Sequence, residues 1–282
     1  MADHKSQARN RRILGLIGLL GFFSLFAQEI HTLPDGHLHT YILDVGQGDS
    51  ILLVSPSGKQ ILVDGGPDLS ALQGIGNHMS FFDRTIELLI LTHPDLDHIA
   101  ALPEIVERYK VGAILLSGID TPQPQYQRLL ARIAKQKIPV IIADPGKDIV
   151  FEDGLILDVV WPPRNTFGIQ PKKVNDTSVV LRAIYGSSSI LLTGDIEEPA
   201  ERAILKTGAD LQSTILKIAH HGSRTSTSTG FLLAVHPEAA VISVGKDNMF
   251  GHPHWAVMER LKRQRMRIQR TDQEGEISLV LP

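Results

Sequence analysis

The sequence Thr92-His93-Pro94-Asp95-Leu96-Asp97-His98 places two histidines and two aspartates within six positions, directly after the apolar run 88–91. The apolar run predicts a buried strand, and the residues from 98 to 106 have the spacing of a helix. The polar cluster therefore lies on a strand-to-helix turn, where α/β proteins commonly place their chemistry. Imidazole and carboxylate are ligands of catalytic zinc, manganese or iron, so this turn predicts a metal site. A solvated polar turn is the alternative interpretation.

The composition is typical of a globular protein, with 282 residues of which 43% are hydrophobic and 21% charged. A formal net charge of -3 provides no overall attraction to nucleic acid, so any such contact depends on local basic patches. The sequence contains no cysteine, which excludes disulfides, thiolate metal ligands and a cysteine nucleophile. Tyrosine is scarce, and no aromatic cluster with interleaved lysines predicts stacking on nucleobases.

The amino terminus, residues 1–29, has the pattern of a membrane-directing segment. Three arginines between positions 9 and 12 precede an apolar run from Ile13 to Ala27. This run is shorter than the roughly 20 residues of a spanning helix and fits a signal peptide. Because Leu25 is large for a cleavage site at Ala27, a cleaved signal peptide and a retained membrane anchor both stay open; a buried core helix is the weaker alternative. In the first two cases the arginines stay in the cytoplasm and the remaining chain is exported, periplasmic or anchored facing outward.

Residues 30–282 are expected to form one catalytic domain, because strands and helices alternate from His39 onward without a linker or repeat. Short turns join the first three strands into an antiparallel meander, and β-α-β units follow. This order, repeated in the second half, predicts an α/β (α+β) sandwich of two sheets with helices outside. The expected strands are 40–45, 51–54, 60–63, 88–91, 113–116, 139–143, 156–160, 178–183, 189–193, 213–218, 239–244 and 277–281, and the expected helices are 98–109, 125–136, 197–206, 228–235 and 255–263.

Other polar side chains also stand at predicted strand ends. Asp195 closes an apolar strand and is a candidate metal ligand; the alternative role, the N-cap of the next helix, does not exclude the first. His220 and His221 end another strand, and neighbours on an extended chain point to opposite sides, so only one should reach a given metal. We favour His220 as that ligand and His221 as a supporting or substrate-contacting residue. Asp64, before two glycines, either orients ligand groups or simply forms a turn.

His252 lies between Gly251 and Pro253 and is fixed in a loop. It would contact a substrate phosphate, or else it is an ordinary exposed histidine.

Six further motifs occur in order along the chain: Leu43-Asp44-Val45-Gly46-Gln47-Gly48-Asp49-Ser50, Val63-Asp64-Gly65-Gly66, Asn175-Asp176-Thr177-Ser178, Leu192-Thr193-Gly194-Asp195, His220-His221-Gly222-Ser223 and Gly251-His252-Pro253. With the histidine and aspartate turn, they resemble the metallo-β-lactamase fold and, within it, the hydrolase domain of ComEC-type DNA-uptake proteins. The resemblance covers about Thr40 to Leu281. It implies a metallo-β-lactamase-like αββα sandwich of two mixed sheets with outer helices, in which Asp195 bridges two metals.

This chain departs from the family at two ligand positions. Asp95 stands where the second histidine usually stands, and the region of Asn175, Asp176 and Ser178 supplies no histidine where many members have one. The site is therefore richer in oxygen, which weakens the case for zinc alone and favours manganese or magnesium. We expect two divalent ions, zinc or manganese, with magnesium also open.

The candidate site residues fall into three groups. The expected metal ligands are His93, Asp95, Asp97, His98, Asp195 and His220. Asp97, which would also orient the attacking water, and His252 are the catalytic candidates. The supporting or substrate-contacting residues are Asp49, Asp64, Asn175, Asp176, Ser178, His221 and Ser223.

The expected reaction is hydrolysis, since two ions about 3.5–4 Å apart activate a shared water and neutralise the charge of the attacked group. A nuclease that cleaves DNA phosphodiesters is favoured by the resemblance and by a basic run in which Arg260, Arg263 and Arg267 would contact phosphates. A solvated helix face would explain the same arginines. Hydrolysis of a small lactam, lactone, thioester or phosphoester remains an alternative, as does a non-catalytic binding module.

The resembled proteins carry this domain behind a large polytopic channel, whereas this chain has at most one membrane segment. If it belongs to an uptake system, we expect it to process DNA beside a separate channel-forming membrane protein. A stand-alone extracytoplasmic nuclease or phosphoesterase is equally open.

Overall fold

The computed structural model describes residues 10, 13–19, 21, 29–30, 32–163 and 166–282. Most of the expected signal peptide or membrane anchor lies outside these residues. Within the ranges that are described, no helix is both long and apolar enough to cross a membrane.

The described chain forms two seven-stranded sheets. In chain order the strands are β1 Leu38–Ile42, β2 Ile51–Val54, β3 Gln60–Val63, β4 Thr85–Leu91, β5 Lys110–Leu116, β6 Val140–Ile142, β7 Ile149–Val150, β8 Ile156–Trp161, β9 Val180–Tyr185, β10 Ser188–Leu192, β11 Ile215–Lys217, β12 Ala239–Ile242, β13 Arg267–Arg270 and β14 Ile277–Leu281.

Both sheets are mixed. The first has the order β14-β1-β2-β3-β4-β5-β6; its pairs from β14 to β3 are antiparallel and those from β3 to β6 parallel. The second has the order β13-β12-β11-β10-β9-β8-β7, with antiparallel pairs from β7 to β10 and parallel pairs from β10 to β13. The predicted sandwich of two mixed sheets is thus confirmed.

Helices cover the outer faces of the sheets. They are α1 Ser70–His78, α2 Leu96–Ile99, α3 Leu102–Arg108, α4 Pro124–Gln136, α5 Glu198–Thr207, α6 Thr229–Val235, α7 Trp255–Arg263 and α8 Thr271–Glu274.

Among the described residues, three apolar cores hold the layers together. Strand β4 shows how they arise: Leu88 and Ile90 pack in the core between the two sheets, whereas Leu89 and Leu91 pack against the helices of the first sheet. Side chains alternate between the faces of a strand, and a strand covered on both faces therefore needs a continuous apolar run. A third core joins the second sheet to its helices.

Several elements differ from the prediction, and three of the differences have a physical reason. The helix expected at 98–109 is divided into α2 and α3, and Pro103 stands in the first turn of α3, where its missing N–H costs nothing. Helix α1 was not predicted, because Gly74 and Gly76 lower its intrinsic helix propensity; Ala71 and Ile75 are nonetheless buried against the sheet. The edge strand β13 was also missed, since its residues belong to the basic run.

Candidate metal centre

The candidate site lies where the carboxyl ends of parallel strands from both sheets meet. Asp64 follows β3 and the turn 92–98 follows β4, whereas Asp195 follows β10 and the His220-His221 pair follows β11. Side chains from the two sheets come close together here: Nε2 of His98 lies 3.3 Å from Oδ2 of Asp195. Loops at the carboxyl ends of parallel strands are the usual position of α/β active sites.

Four side chains form what we call the inner group: Asp97, His98, Asp195 and His221. One potential ligand atom from each lies within 4.8 Å of all the others. The Nε2 atom of His221 is 3.3 Å from Oδ2 of Asp97 and 3.4 Å from Oδ2 of Asp195. Two imidazoles and two carboxylates at this spacing suit a divalent cation such as zinc or manganese.

The structure reverses the order of preference that we inferred for His220 and His221. His221 is buried and belongs to the inner group, whereas Nε2 of His220 lies 3.8 Å from Asp195 at the edge of that group. The sequence argument assumed an extended chain, but the two histidines have φ angles of 52° and 53° in a tight turn over 219–222. Left-handed residues do not alternate as strand residues do, so the pattern could not identify the inner histidine.

A second set of ligand atoms adjoins the inner group. Nε2 of His93 lies 3.7 Å from Oδ2 of Asp95, and the rings of His93 and His98 are 4.2 Å apart. His220 approaches Asp195 from this part of the site. Asp195 thus contacts histidines that belong to both sets, as a bridging carboxylate would.

Three histidines are held so that Nε2 faces the site. Nδ1 of His221 bonds to the carbonyl oxygen of Ser243 at 2.9 Å, and a carbonyl only accepts, so this nitrogen carries the proton. Nδ1 of His98 donates to Asp64 at 2.7 Å. Nδ1 of His93 bonds to Oγ1 of Thr92 at 3.0 Å, and that hydroxyl donates to Asp64. Such partners fix the tautomer of metal-binding histidines.

Asp64 is therefore an orienting residue in this structure, rather than only a turn aspartate. It is completely buried, has a φ of 60°, and accepts hydrogen bonds from the N–H and hydroxyl of Thr92 as well as from His98. Burial raises the pKa of its carboxyl group, and the charge of His98 opposes that rise.

Burial and neighbouring charges shift the pKa values of the site's side chains in opposite directions. Burial alone would lower the pKa of His98 and of His221, but the charge of Asp195 and the other nearby carboxylates raise it, for His221 to about 9. Burial would raise the pKa of Asp195, yet His221 and His98 hold it well below its ordinary value. The pKa of His93 is lowered by burial and by the charge of His98. The carboxylate of Asp195 is thus available as an anion between the two histidines, whereas burial raises the pKa of Asp95.

The donor atoms fit a bound cation. Nε2 of His93, His98 and His221 and Oδ1 of Asp195 are buried without a hydrogen-bond partner in the described structure. Buried polar atoms are rarely left unsatisfied, because each costs the free energy of its desolvation. Their convergence on one region marks a candidate divalent-metal site.

Lys217 is a component of the site that the sequence did not reveal to us. It is the last residue of β11, is completely buried, and forms an ion pair with Asp49. Its Nζ atom lies 3.9 Å from Oδ1 of Asp195. Burial would lower its pKa, but Asp49 and Asp195 raise it, so the ammonium stays charged. A lysine within the apolar run 215–219 was the available signal, since lysine is almost never buried unpaired.

Asp49 is buried and contacts three members of the inner group. Besides Lys217, its carboxylate lies 3.5 Å from Nδ1 of His221 and 4.0 Å from Nδ1 of His98. Its backbone N–H donates to the carbonyl oxygen of Asp97 at 3.1 Å. This approach requires Gly48, because a Cβ atom there would stand 2.2 Å from the same oxygen.

The other supporting candidates contact the backbone rather than the ligand atoms. The hydroxyl of Ser178 accepts from the N–H of Asp195 at 3.2 Å and donates to the carbonyl oxygen of Asn175 at 2.7 Å. Asp176 accepts from the N–H of Glu197 at 3.0 Å, at the start of the helix after Asp195.

Ser223 and His252 lie on the outer side of the site. Ser223 is buried, and its hydroxyl pairs with that of Thr225 at 3.0 Å. The ring of His252 is 5.7 Å from that of His220 and 6.5 Å from that of His221. Burial and the charges of these two histidines lower the pKa of His252 to about 4, so it is a neutral imidazole at the rim.

The arginines of the basic run occupy different positions in the fold. Arg260 donates to the carbonyl oxygens of Ser226 and Thr227 and so stabilises the protein itself. Arg267 pairs with Ala239 at the start of β12, the end opposite to Ser243. Arg263 ends α7, about 12 Å along the helix axis from its first residue. The run is therefore divided between a helix and an edge strand.

A different arginine lies beside the site. Arg128 of α4 lines an open cleft of about 640 Å³ together with Asp95, Asp97 and the exposed Leu96. Arg128 is exposed, and within the described ranges it has no ion-pair or hydrogen-bond partner. An unpaired guanidinium next to a candidate metal centre is suited to bind an anionic group of a substrate.

The family model of the metallo-beta-lactamase superfamily matches residues 43–246, which include all of the inner group. The chain belongs to this superfamily.

Comparison with known proteins agrees with this placement. The chain is 29% identical over 253 residues to ComE operon protein 3 of Bacillus subtilis, covering 84% of this chain and 32% of that protein. It is 31% identical over 267 residues to competence protein ComA of Neisseria gonorrhoeae, covering 93% of this chain and 35% of that protein. The predicted resemblance to ComEC-type competence proteins is thus confirmed, although the chain spans only about a third of these curated relatives.

Among solved structures, the metallo-beta-lactamase fold protein YhfI from Bacillus subtilis has a similar fold. It aligns with a TM-score of 0.58 at 14% sequence identity, over 86% of this chain and 99% of YhfI. At this identity the likeness supports the fold alone.

Proposed function

We propose that this protein is a metal-dependent phosphodiesterase that cleaves DNA. The observation that carries the proposal is the position of Arg128, which lines the same cleft as the candidate ligands Asp95 and Asp97. A cleft with a cation on one wall and a metal centre on the other suits a polyanionic substrate. The similarity to competence proteins supports DNA as that polyanion.

We assign a role in metal binding or catalysis to each candidate residue from its contacts. The inner group would hold one divalent ion, and His93, Asp95 and His220 would hold a second, with Asp195 shared between the two. When bound, such a pair of ions activates a water molecule and neutralises the charge gained by the attacked phosphate. Asp97, whose pKa is lowered despite its burial because His221 and His98 lie beside it, would stay ionised and orient that water.

Other side chains would bind the substrate and the leaving group. Arg128 would hold a phosphate next to the scissile one, and His252 would contact the departing oxygen from the rim. The mixture of imidazole and carboxylate ligands fits manganese as well as zinc. Residues 1–29 would direct the protein out of the cytoplasm. Outside the cytoplasm, it would act beside a channel-forming membrane protein.

The test uses the purified protein with single-stranded and double-stranded DNA and added manganese, zinc or magnesium. We expect cleavage that requires one of these ions and is lost in Asp97→Ala, but not in Asp210→Ala, which changes an exposed aspartate of a surface loop. Metal binding without cleavage of any DNA would contradict the proposal. Activity toward a lactam, lactone or thioester in the same preparation would then support a small-molecule hydrolase.

A further inference from the structure

We propose that Phe250 and His252 form a stacking surface for an unpaired nucleobase beside the candidate metal centre. The proposal rests on the proposed function and narrows its substrate to single-stranded or locally unpaired DNA.

The geometry is a row of three aromatic rings that begins in the inner group and ends in solvent. The ring of His252 lies 6.5 Å from that of His221 with an interplanar angle of 29°. The ring of Phe250 lies 5.8 Å from that of His252 at 25°. These values are typical of offset-stacked aromatic pairs. The outermost ring, Phe250, is 62% exposed, so another flat ring has access to it.

The row is held firmly against the inner group. The side chain of Asn248 bonds to both the N–H and the carbonyl oxygen of His252, at 3.0 and 2.7 Å. The next residue, Pro253, packs directly on the turn that carries His221, because a Cβ atom on Gly222 would stand 2.5 Å from Pro253. Contacts within the protein therefore hold His252 in place, and such preorganisation lowers the entropic cost of binding.

The chemistry of the row favours a nucleobase. Among the residues that the structure describes, Phe250 belongs to none of the apolar cores, and its neighbours Met249 and Trp255 are exposed as well, at 90% and 71%. A phosphate held at the inner group has a base one sugar away, within reach of the rim. Proteins that bind single strands stack bases on such aromatic side chains, with little dependence on base identity. A base inside a duplex has both faces covered by its neighbours, so only an unstacked base could use Phe250.

The experiment compares cleavage of a short oligothymidylate by the wild type, Phe250→Ala and Phe250→Trp in the metal-loaded protein. We expect Phe250→Ala to raise KM about tenfold, with a smaller change in kcat, and Phe250→Trp to retain a low KM. The matched control is Phe82→Ala, which removes an aromatic ring that is 82% exposed and lies before β4, at the opposite end of that strand from the site. This control should leave KM unchanged.

An abasic substrate tests whether the ring acts through a base. If Phe250 stacks on a base, removing the ring and removing the base are not additive, and KM for an abasic oligonucleotide does not rise further in Phe250→Ala. An equal increase in KM for the abasic and the base-containing strand would overturn the proposal, as would an unchanged KM for oligothymidylate.

A binding measurement distinguishes this proposal from the proposed function. An oligonucleotide that contains 2-aminopurine should lose fluorescence when it binds the wild type, and lose much less with Phe250→Ala. If the wild type cleaves no DNA with any ion, the phosphodiesterase proposal fails, and this titration still decides whether the base stacks. If Phe250→Ala instead weakens binding only to vesicles of anionic phospholipid, the exposed loop contacts a membrane and the stacking proposal is overturned.

Discussion

Nδ1 of His98 lies 2.7 Å from Oδ2 of Asp64, so a buried carboxylate orients the histidine whose other ring nitrogen faces Asp195. The same carboxylate also accepts from the hydroxyl of Thr92, which bonds to His93. A single aspartate behind the site therefore sets the direction of two candidate ligands from different parts of the turn.

Asp64→Asn should weaken metal binding although Asp64 is not expected to touch the metal. The amide retains the shape of the carboxylate but loses its charge and one acceptor atom, so His98 and Thr92 lose their alignment. We expect the affinity for manganese or zinc to fall by about 10- to 100-fold, as measured by titration calorimetry. Asp210→Asn is the control, and an affinity equal to that of the wild type in Asp64→Asn would contradict the orienting role.

Substitution of the two adjacent histidines should separate their roles. His221→Ala removes a buried member of the inner group, whereas His220→Ala removes a side chain at its edge. We expect His221→Ala to lose at least one bound ion per chain by elemental analysis, and His220→Ala to retain that ion but bind a second one more weakly. Equal loss of metal in the two variants would show that the inner group is not an independent site.

Lys217→Met should destabilise the protein strongly. The change leaves the buried carboxylate of Asp49 without its cation, and breaking a buried ion pair costs about 3–5 kcal/mol. The free energy of unfolding in urea, measured with a metal chelator present, tests this. Lys206→Met, at an exposed position of α5, should change stability little.

A double-mutant cycle shows whether the pair explains that cost. Lys217→Met combined with Asp49→Asn should be less destabilising than the sum of the single changes, because no unpaired charge remains. Strict additivity would mean that Lys217 acts through packing alone.

Arg128→Gln should weaken DNA binding in a manner that depends on salt. Losing one phosphate contact lowers the slope of log affinity against log salt concentration by about 1. The controls are Arg263→Gln and Arg267→Gln, since neither arginine lines the cleft. Fluorescence anisotropy over a range of salt concentrations measures the slopes. Larger effects in the controls than in Arg128→Gln would return the nucleic-acid contact to the basic run.

Removal of metal should lower thermal stability. The carboxylates of Asp97 and Asp195 both lie within 3.4 Å of Nε2 of His221, so all three side chains could bind one cation. A cation that binds only the folded state stabilises that state by mass action. We expect a chelator to lower Tm and added manganese or zinc to restore it. An unchanged Tm, in a protein shown to have lost its metal, would indicate that the site contributes no folding free energy.

Much of the fold could be predicted from the sequence because its signals are local. Apolar runs bounded by turn residues gave strands such as 51–54 and 60–63 at the positions observed, and helix 255–263 follows from its own periodicity. Helix α1 escaped prediction because packing of Ile75 against the sheet outweighs the low helix propensity of its two glycines.

The sequence by itself determined the family, the order of strands and helices and the position of polar motifs at strand ends, since each could be inferred from short motifs and local apolar patterns. Only the tertiary structure decided which histidine enters the inner group, because that depends on two left-handed residues in one turn. The tertiary structure also placed Nζ of Lys217 3.9 Å from Oδ1 of Asp195 and stacked the ring of Phe250 on that of His252. It divided the basic run between a helix and a strand. Contacts between distant segments are set by how two sheets pack, and no local pattern in the chain encodes that packing.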